Sequence, residues 1–589
     1  MLSPTLFNIF INDLLINENI PSLDYSKFAD DVAIWVSDYD PIRCFQKAQN
    51  TLVAIEKWSK KWNLNFSPNK SKAMFFSRKK LPNINLTLNH VIIEFVKTYK
   101  FLGLVLDRSL TWKPHISHIK QRCESDLRLM RIISYQSWGA DFSTLRKLYI
   151  SLIQSKISYG LFIYNTACKT NFKILKTIQT SACRTILGAF RTTRSEHLLV
   201  AANIMPVNIL SKMLLCKYTV RMVSNKENPF REMLIEYKRP LNPRGLQYPP
   251  PLCGRIEDEF RSLSINYKNL ANLPLTLRNI TFTLEIFDTL HDKRKEDLSC
   301  GSWQQLHDHL LSQYPQHVPI YCDGSVKEEK CGLGVWSQGF SFKARLPNLS
   351  TIFTCELYAI FTIINFIKNK PGKYLILSDS LSSIFALKNP HKSKHSLVLQ
   401  IANQISTLEK HSIIIQWIPS HMGIHGNDKA DNLAKEALNL PEITITNYYL
   451  PDVLKIIDSH YIKNFLKMCN PCYHTNNISF VNHNKSPPYL QAPRHHQVPL
   501  SRLYLRVTNA THLHIITKSE PNSCSDCNQE LTLEHLFIYC PTHNNARRPL
   551  QSYCTSHKIH FTLDDLLSGS IPYQIILNFI KETNFIKQI

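Results

Sequence analysis

Four carboxylates between residues 323 and 431 stand where a folded chain rarely leaves isolated charge. Asp323 closes the apolar run Pro319-Ile-Tyr-Cys-Asp323-Gly-Ser325, and Asp379 closes Lys373-Tyr-Leu-Ile-Leu-Ser-Asp379-Ser380. Both runs have the length and composition of buried strands. Glu356 lies near the start of a stretch from Thr351 to Lys368 whose apolar residues (Leu357, Ile360, Ile364, Phe366, Ile367) suit a helix. Asp431 falls in Gly426-Asn-Asp-Lys-Ala-Asp431-Asn-Leu-Ala-Lys435, which reads as a loop, an Asn427 cap and a helix. Acids gathered at the ends of buried elements repel one another unless divalent cations neutralise them, and Mg²⁺ prefers carboxylate oxygen. Two such ions about 3.5–4 Å apart clamp the attacking water and the leaving oxygen of a phosphodiester. The chemistry on offer is metal-assisted phosphodiester hydrolysis. Taken singly, any Asp after a strand reads as a solvated turn residue; the set of four argues otherwise.

A second group of ligand-type side chains sits near the C-terminus. Cys524, Cys527, His535 and Cys540 are spaced C-x₂-C-x₇-H-x₄-C. A tight cysteine pair with a histidine and a cysteine from a following turn can close a tetrahedral Zn²⁺ site. The competing reading is a pair of packed cysteines beside a core histidine.

The elements that must position the four acids complete a recognisable order. Cys331-Gly-Leu-Gly-Val-Trp336 is another strand, kept narrow by Gly332 and Gly334, and Ser412-Ile-Ile-Ile-Gln-Trp-Ile-Pro-Ser-His421 supplies one more. With Tyr-Cys-Asp323-Gly-Ser, Cys-Glu356-Leu-Tyr-Ala, Ser-Asp379-Ser and Pro-Ser-His421-Met-Gly-Ile-His-Gly-Asn-Asp-Lys-Ala-Asp431, the segment resembles the ribonuclease H family. The resemblance implies that Asp323, Glu356, Asp379 and Asp431 bind Mg²⁺ or Mn²⁺. It implies that His421 is a mobile-loop histidine assisting proton transfer or product release. Asp428 stands where the family usually has Glu and is expected to support the site. Ser420 stands where Gly is commoner.

The N-terminal stretch carries a different acid pair. Tyr25 to Val36 places Asp30 and Asp31 between apolar runs, a β-hairpin with acids at its turn. Alone, the pair reads equally well as an exposed turn. With Leu2-Ser-Pro-Thr-Leu-Phe, Trp62-Asn-Leu-Asn-Phe-Ser-Pro-Asn69-Lys70 and Tyr99-Lys-Phe-Leu-Gly103, the region resembles the palm of a reverse transcriptase of the non-LTR retrotransposon type. The resemblance implies that Asp30 and Asp31 belong to a polymerase metal site. Asn69 and Lys70 would lie near the incoming nucleotide, and the Phe101–Gly103 turn would support the primer. In that family a first palm carboxylate and the fingers precede the stretch that begins here. The expectation is therefore the back half of a palm rather than a working polymerase. The cysteine-histidine tail is likewise similar to that of jockey-like and I-like elements.

Further helices are expected over Leu2–Leu15 (apolar face Leu6, Ile9, Phe10, Leu14), Arg43–Lys61 and Leu450–Met468. Residues 239–251 are dense in proline and read as an extended linker. Cys469 to His496 reads as a polar, His- and Asn-rich loop. The expected fold class is multi-domain α/β. It comprises a partial palm (1–110), a helical thumb-like domain (111–190), a connecting region (191–316), a ribonuclease H-like mixed β-sheet flanked by helices (317–440), and a C-terminal region (441–589) with a small zinc-binding-like tail at 524–540.

The chain has 589 residues and a formal net charge of +24. That excess points to a polyanionic partner bound through phosphate contacts. Scattered cysteines argue for a reducing compartment, and no apolar run reaches membrane-spanning length. An intracellular protein, cytoplasmic or in a nuclear ribonucleoprotein and not secreted, is expected. Its partners would be RNA–DNA hybrid, other nucleic acid and the element's own RNA. The expected function is cleavage of the RNA strand of RNA–DNA hybrids. The alternatives are a non-catalytic nucleic-acid-binding retroelement remnant, or a truncated gene model of a full RNA-directed DNA polymerase.

Overall fold

Pairing of the apolar runs builds one six-stranded mixed sheet. It belongs to a computed structural model that describes residues 3–16, 23–77, 83–237, 250–271, 285–287, 299–469 (except 394 and 409), 488–587 (except 525 and 526) and 589. Two units make up the chain, Met1–Ile204 with Asn482–Ile589, and Met205–Val481. The α/β class is as expected.

In the second unit, helices α1 (Val207–Ser224) and α2 (Leu252–Leu263) precede strand β1 (Glu285–Phe287) and helix α3 (Cys300–Gln313). Then come β2 (Val318–Lys327), β3 (Lys330–Ser337), β4 (Phe340–Leu346), α4 (Ile352–Ile367), β5 (Lys373–Ser378), α5 (Leu381–Lys388), α6 (Ser396–Ser406), β6 (Ser412–Trp417), α7 (His425–Ala437) and α8 (Leu450–Cys469). The strand order is β4-β3-β2-β5-β6-β1. β2, β3 and β4 are antiparallel neighbours, whereas β2, β5, β6 and β1 run parallel. Parallel strands need covered faces. Ile320, Cys322, Ile376 and Ile415 pack with Ile360 and Ile364 of α4 and Val398 and Ile401 of α6. Tyr321, Leu375, Leu377 and Ile414 pack on the opposite face with Leu310 of α3 and Ala430 of α7. The connecting region thus supplies an edge strand and a covering helix to the sheet. Residues 239–249 of the proline-rich stretch lie outside the described residues; Pro251 caps α2.

In the first unit, Leu23–Phe28 and Asp31–Val36 form the expected hairpin, with Phe28 opposite Asp31. Ala29 takes φ 51° in the two-residue turn. The helix Pro41–Trp62 starts at Asp40, whose side chain accepts from the Ile42 N–H, and buries Phe45, Leu52, Ile55 and Trp58. The N-terminal helix is shorter than expected, Ser3–Phe10, and the chain then turns. Its expected apolar face is split by that turn: Leu14 is buried with Trp58, while Leu6 and Ile9 stay exposed. Helices Lys113–Ile132 and Lys169–Leu187 follow, burying Ile116, Ile119, Met130 and Leu175, Ile178, Ile186.

The expected loop from Cys469 to His496 is corrected in part. Residues 470–487 lie outside the described residues, but Pro488–Gln491 is a short helix and Arg494–Tyr504 a longer one. The polar residues there serve buried backbone. Arg494 donates to the carbonyls of Thr185 and Ile186, and Gln497 donates to Leu490 O and accepts from Phe142 N. Among the described residues no helix is long and apolar enough to cross a membrane.

Candidate active site

The parallel register of β2 and β5 sets Cys322 beside Ser378. The next residues, Asp323 and Asp379, therefore stand side by side, although Asp323 does not close its strand as expected: β2 runs on to Lys327, and only Asp379 follows a strand end. Glu356 reaches them because residue 324 is glycine. A Cβ on Gly324 would stand 2.8 Å from Cys355 Cβ and 3.0 Å from the Glu356 nitrogen, so a larger residue would push α4 off the sheet. Carboxylate oxygens of Asp323, Glu356 and Asp379 lie within 4.8 Å of one another. Asp323 and Glu356 are buried and Asp379 is half-buried.

The electrostatics follow from that crowding. Asp323 accepts from the Gly324 N–H at 2.7 Å, yet burial, and then the charge of Asp379, push its carboxyl up to about 7. Burial, followed by the charges of Asp323 and Asp379, holds Glu356 well above the usual carboxylate range. Glu356 Oε2 is buried without a hydrogen-bond partner. An orphaned acceptor among mutually repelling acids suits a hard cation bound through oxygen.

Asp431 approaches by a second close contact. A Cβ on Gly334, which pairs with Asp323, would lie 2.1 Å from Ala430 O, so glycine lets α7 rest directly on β3. Asp431 follows Ala430 but stands at the rim of the cluster rather than within the group of three. Its Oδ2 accepts from Lys435 Nζ at 2.6 Å, and its charge adds to the upward push on Asp323. His421 is exposed in the loop before α7, in the left-handed region at φ 58°, with Nδ1 4.0 Å from Asp431 Oδ2. Asp428 is half-buried in the first turn of α7. Asn427 is not the cap: α7 starts at His425 after Ile424, and Asn427 is buried inside the helix.

Two polar residues near this site were not singled out in the sequence. Gln304 of α3 donates to Gly423 O at 2.8 Å, holding the loop that carries His421. Asp452 of α8 is buried against the first turn of α4. The sequence signal for Asp452 was slight, an acid one turn before Ile456 on the buried stripe of a helix.

The N-terminal acids assemble less. Asp30 and Asp31 are exposed at the hairpin turn, and Asn69 and Lys70 are exposed in a turn after the helix Pro41–Trp62. Among the described residues, neither acid belongs to a group of three or more metal-ligating side chains. The C-terminal set does converge. Ligand atoms of Cys524, Cys527, His535 and Cys540 lie within 4.8 Å of one another, with Cys540 Sγ 4.0 and 3.8 Å from the other two sulfurs. Both ring nitrogens of His535 are buried without a hydrogen-bond partner, which suits a metal ligand better than a packed core histidine.

Residues 315–439 match the family model described as RNase H, and residues 1–106 match that of reverse transcriptase (RNA-dependent DNA polymerase). The RNA-directed DNA polymerase from mobile element jockey of Drosophila funebris is 22% identical over 250 residues, covering 42% of this chain and 27% of that protein. The two matched segments are thus similar to ribonuclease H and reverse transcriptase domains, the latter in keeping with this RNA-directed DNA polymerase of a mobile element. The probable RNA-directed DNA polymerase from transposon BS of Drosophila melanogaster is 26% identical over 193 residues, covering 32% of this chain and 21% of that protein. The chain thus matches about a quarter of the length of these relatives. Among solved structures, the N-terminal RNase H domain of a Mycobacterium tuberculosis protein is 21% identical and covers 21% of this chain and 99% of that chain, with a TM-score of 0.18.

Proposed function

We propose that the chain is a metal-dependent endoribonuclease that cleaves the RNA strand of RNA–DNA hybrids. The observation that carries this reading is the convergence of Asp323, Glu356 and Asp379 in the segment matching ribonuclease H. These three acids, with Asp431 at the rim, would hold Mg²⁺ or Mn²⁺. When bound, two such ions would supply charge neutralisation and an activated water for in-line attack on a phosphodiester. The chain's own residues do the rest. Gly324 and Gly334 let α4 and α7 bring their acids up to Asp323 and Asp379, and burial of Asp323 and Glu356 excludes bulk water from the site. His421, on its exposed loop, assists proton transfer or product release. Contacts to 2′-hydroxyls along the minor groove would distinguish the RNA strand.

The test uses the full chain with Mg²⁺. RNA in a hybrid duplex should be cut and the same RNA as a single strand largely spared. Absence of hybrid cleavage with both Mg²⁺ and Mn²⁺ in well-folded protein would overturn the proposal.

Two narrower readings belong with it. The C-terminal Cys₃His set holds Zn²⁺, for which the partnerless His535 nitrogens argue. Polymerase activity is not part of the proposal, because Asp30 and Asp31 are exposed at a turn and join no larger ligand group among the described residues. Primer extension on an RNA template, lost on Asp30→Asn, would contradict that.

A further inference from the structure

Asp452 lies outside the segment that matches ribonuclease H, yet its contacts run to the helix that carries Glu356. It is 1% exposed on α8. Its Oδ1 accepts from the backbone N–H of Thr351 at 3.1 Å and from the Thr351 hydroxyl at 2.8 Å. The hydroxyl of Thr354 contacts both its oxygens, at 2.9 and 2.8 Å. Thr351 is the N-cap of α4 and Thr354 lies in its first turn, so one carboxylate grips the whole start of the helix.

The directions of these bonds can be followed further. His395 Nδ1 accepts from the Leu397 N–H, which leaves the proton of a neutral ring on Nε2. Nε2 stands 3.1 Å from the Thr354 hydroxyl and donates to it, and the hydroxyl proton then turns toward Asp452. Three elements, α4, α6 and α8, are joined through this one threonine.

Glu356 begins the next turn of α4. Its carboxylate is crowded by Asp323 and Asp379, and its Oε2 has no partner within the chain. Its remaining hydrogen bonds, with the Asp323 side chain and the Gly324 N–H, both run to β2 and hold only while the helix is seated against the sheet. On the sheet side that seat is the contact with Gly324, and at the helix N-terminus it is Asp452. Repulsion within the acid cluster would otherwise push the start of α4 away from the strands.

We propose that Asp452 is a positioning residue of the metal site, acting through the first turn of α4 to hold Glu356 against Asp323 and Asp379. The inference rests on the ribonuclease reading of that site. It extends the functional unit beyond the matched segment to α8. Asp452 touches no ligand oxygen and takes no part in the chemistry.

The experiment compares the full chain with Asp452→Asn, Thr354→Val and Thr354→Ser. Mn²⁺ binding is followed by electron paramagnetic resonance, independently of activity. Hybrid cleavage is then titrated with Mg²⁺. Asp452→Asn should weaken Mn²⁺ binding about tenfold and raise the Mg²⁺ midpoint similarly, the usual scale for outer residues of a metal site. KM for the hybrid should change less than about twofold, since the substrate surface is untouched. Thr354→Val should act in the same direction and stand in if Asp452→Asn does not fold. Thr354→Ser, which keeps the hydroxyl, should bind like the parent. Folded Asp452→Asn or Thr354→Val protein with unchanged Mn²⁺ affinity and Mg²⁺ midpoint would reduce Asp452 to a structural cap and overturn the inference. If the parent binds Mn²⁺ but cuts no hybrid, the ribonuclease reading fails instead, and the Mn²⁺ comparison still decides the role of Asp452.

Discussion

Asp323 inside β2, Asp379 just past β5 and the histidine beyond them predict different sensitivities at the residue scale. Asp379 is the largest charge acting on Asp323 and the second on Glu356 after Asp323 itself. Asp379→Asn should abolish hybrid cleavage while leaving the fold intact. Without metal it should even stabilise the protein above neutral pH by roughly 1–3 kcal/mol, because a like charge leaves a partly buried cluster. His421 is exposed and 4.0 Å from Asp431, so His421→Ala should slow turnover about 10–100-fold and leave Mn²⁺ binding nearly unchanged. Equal losses for the two variants, in single-turnover and steady-state assays alike, would refute that division of labour. The sequence singled the acids out by their local patterns, although Asp323 proves to lie inside β2 and Asp431 inside α7 rather than at element ends. Their grouping into three with Asp431 at the rim was not legible there. It depends on how closely helices sit over Gly324 and Gly334, and on the pairing of Asp431 with Lys435.

Elements with a strong apolar period were legible, and those whose pattern is diluted were not. β2, β5 and β6 are buried runs and α4 is apolar along most of its length, so all four could be read directly. β4 is an edge strand with Lys343 and Arg345 among its residues, a composition that protects an edge and hides the strand from a hydrophobic count. β1 has three residues, too few for periodicity, and only its pairing with β6 defines it. The histidine that opens α6 gives this scale its own prediction. Burial pushes His395 down to about 4, below the 6.5 of an ordinary imidazole. The unfolded chain takes up this proton as pH falls through about 6.5, and the folded chain does so only near 4. The stability linked to His395 is therefore fully present above about pH 6.5 and lost progressively between there and pH 4, by roughly 2–3 kcal/mol. His395→Asn, which can still cap α6, should lower proton uptake on unfolding near pH 5 by about one. An unchanged uptake would show that His395 is already protonated in the folded protein.

On the scale of the whole molecule, the first unit joins segments nearly three hundred residues apart in sequence. Arg494 and Arg502 donate to the last carbonyls of the helix Lys169–Leu187 and to Gly188 after it, fixing the C-terminal region to that helix end without any metal. Farther along, the Cys₃His set lies beside the packing of the last helices. Arg547 of the helix Asn544–Ser556 donates to the carbonyls of Leu536, Phe537 and Cys540, and Phe537 packs on Phe579 with ring centroids 4.7 Å apart. A cation bound by Cys524, Cys527, His535 and Cys540 would thus hold a backbone turn on which two later helices lean. Protein purified without chelators should carry about one equivalent of zinc. A zinc-selective chelator should speed amide exchange across 523–582. It should leave exchange slow in Arg494–Tyr504, where the arginine anchors need no ion. Mg²⁺-dependent hybrid cleavage should survive the treatment, because its acids belong to the other unit. Zinc-free protein with slow exchange throughout 523–582 would show instead that the cysteines and His535 are merely packed, and the orphaned imidazole nitrogens would then need another partner.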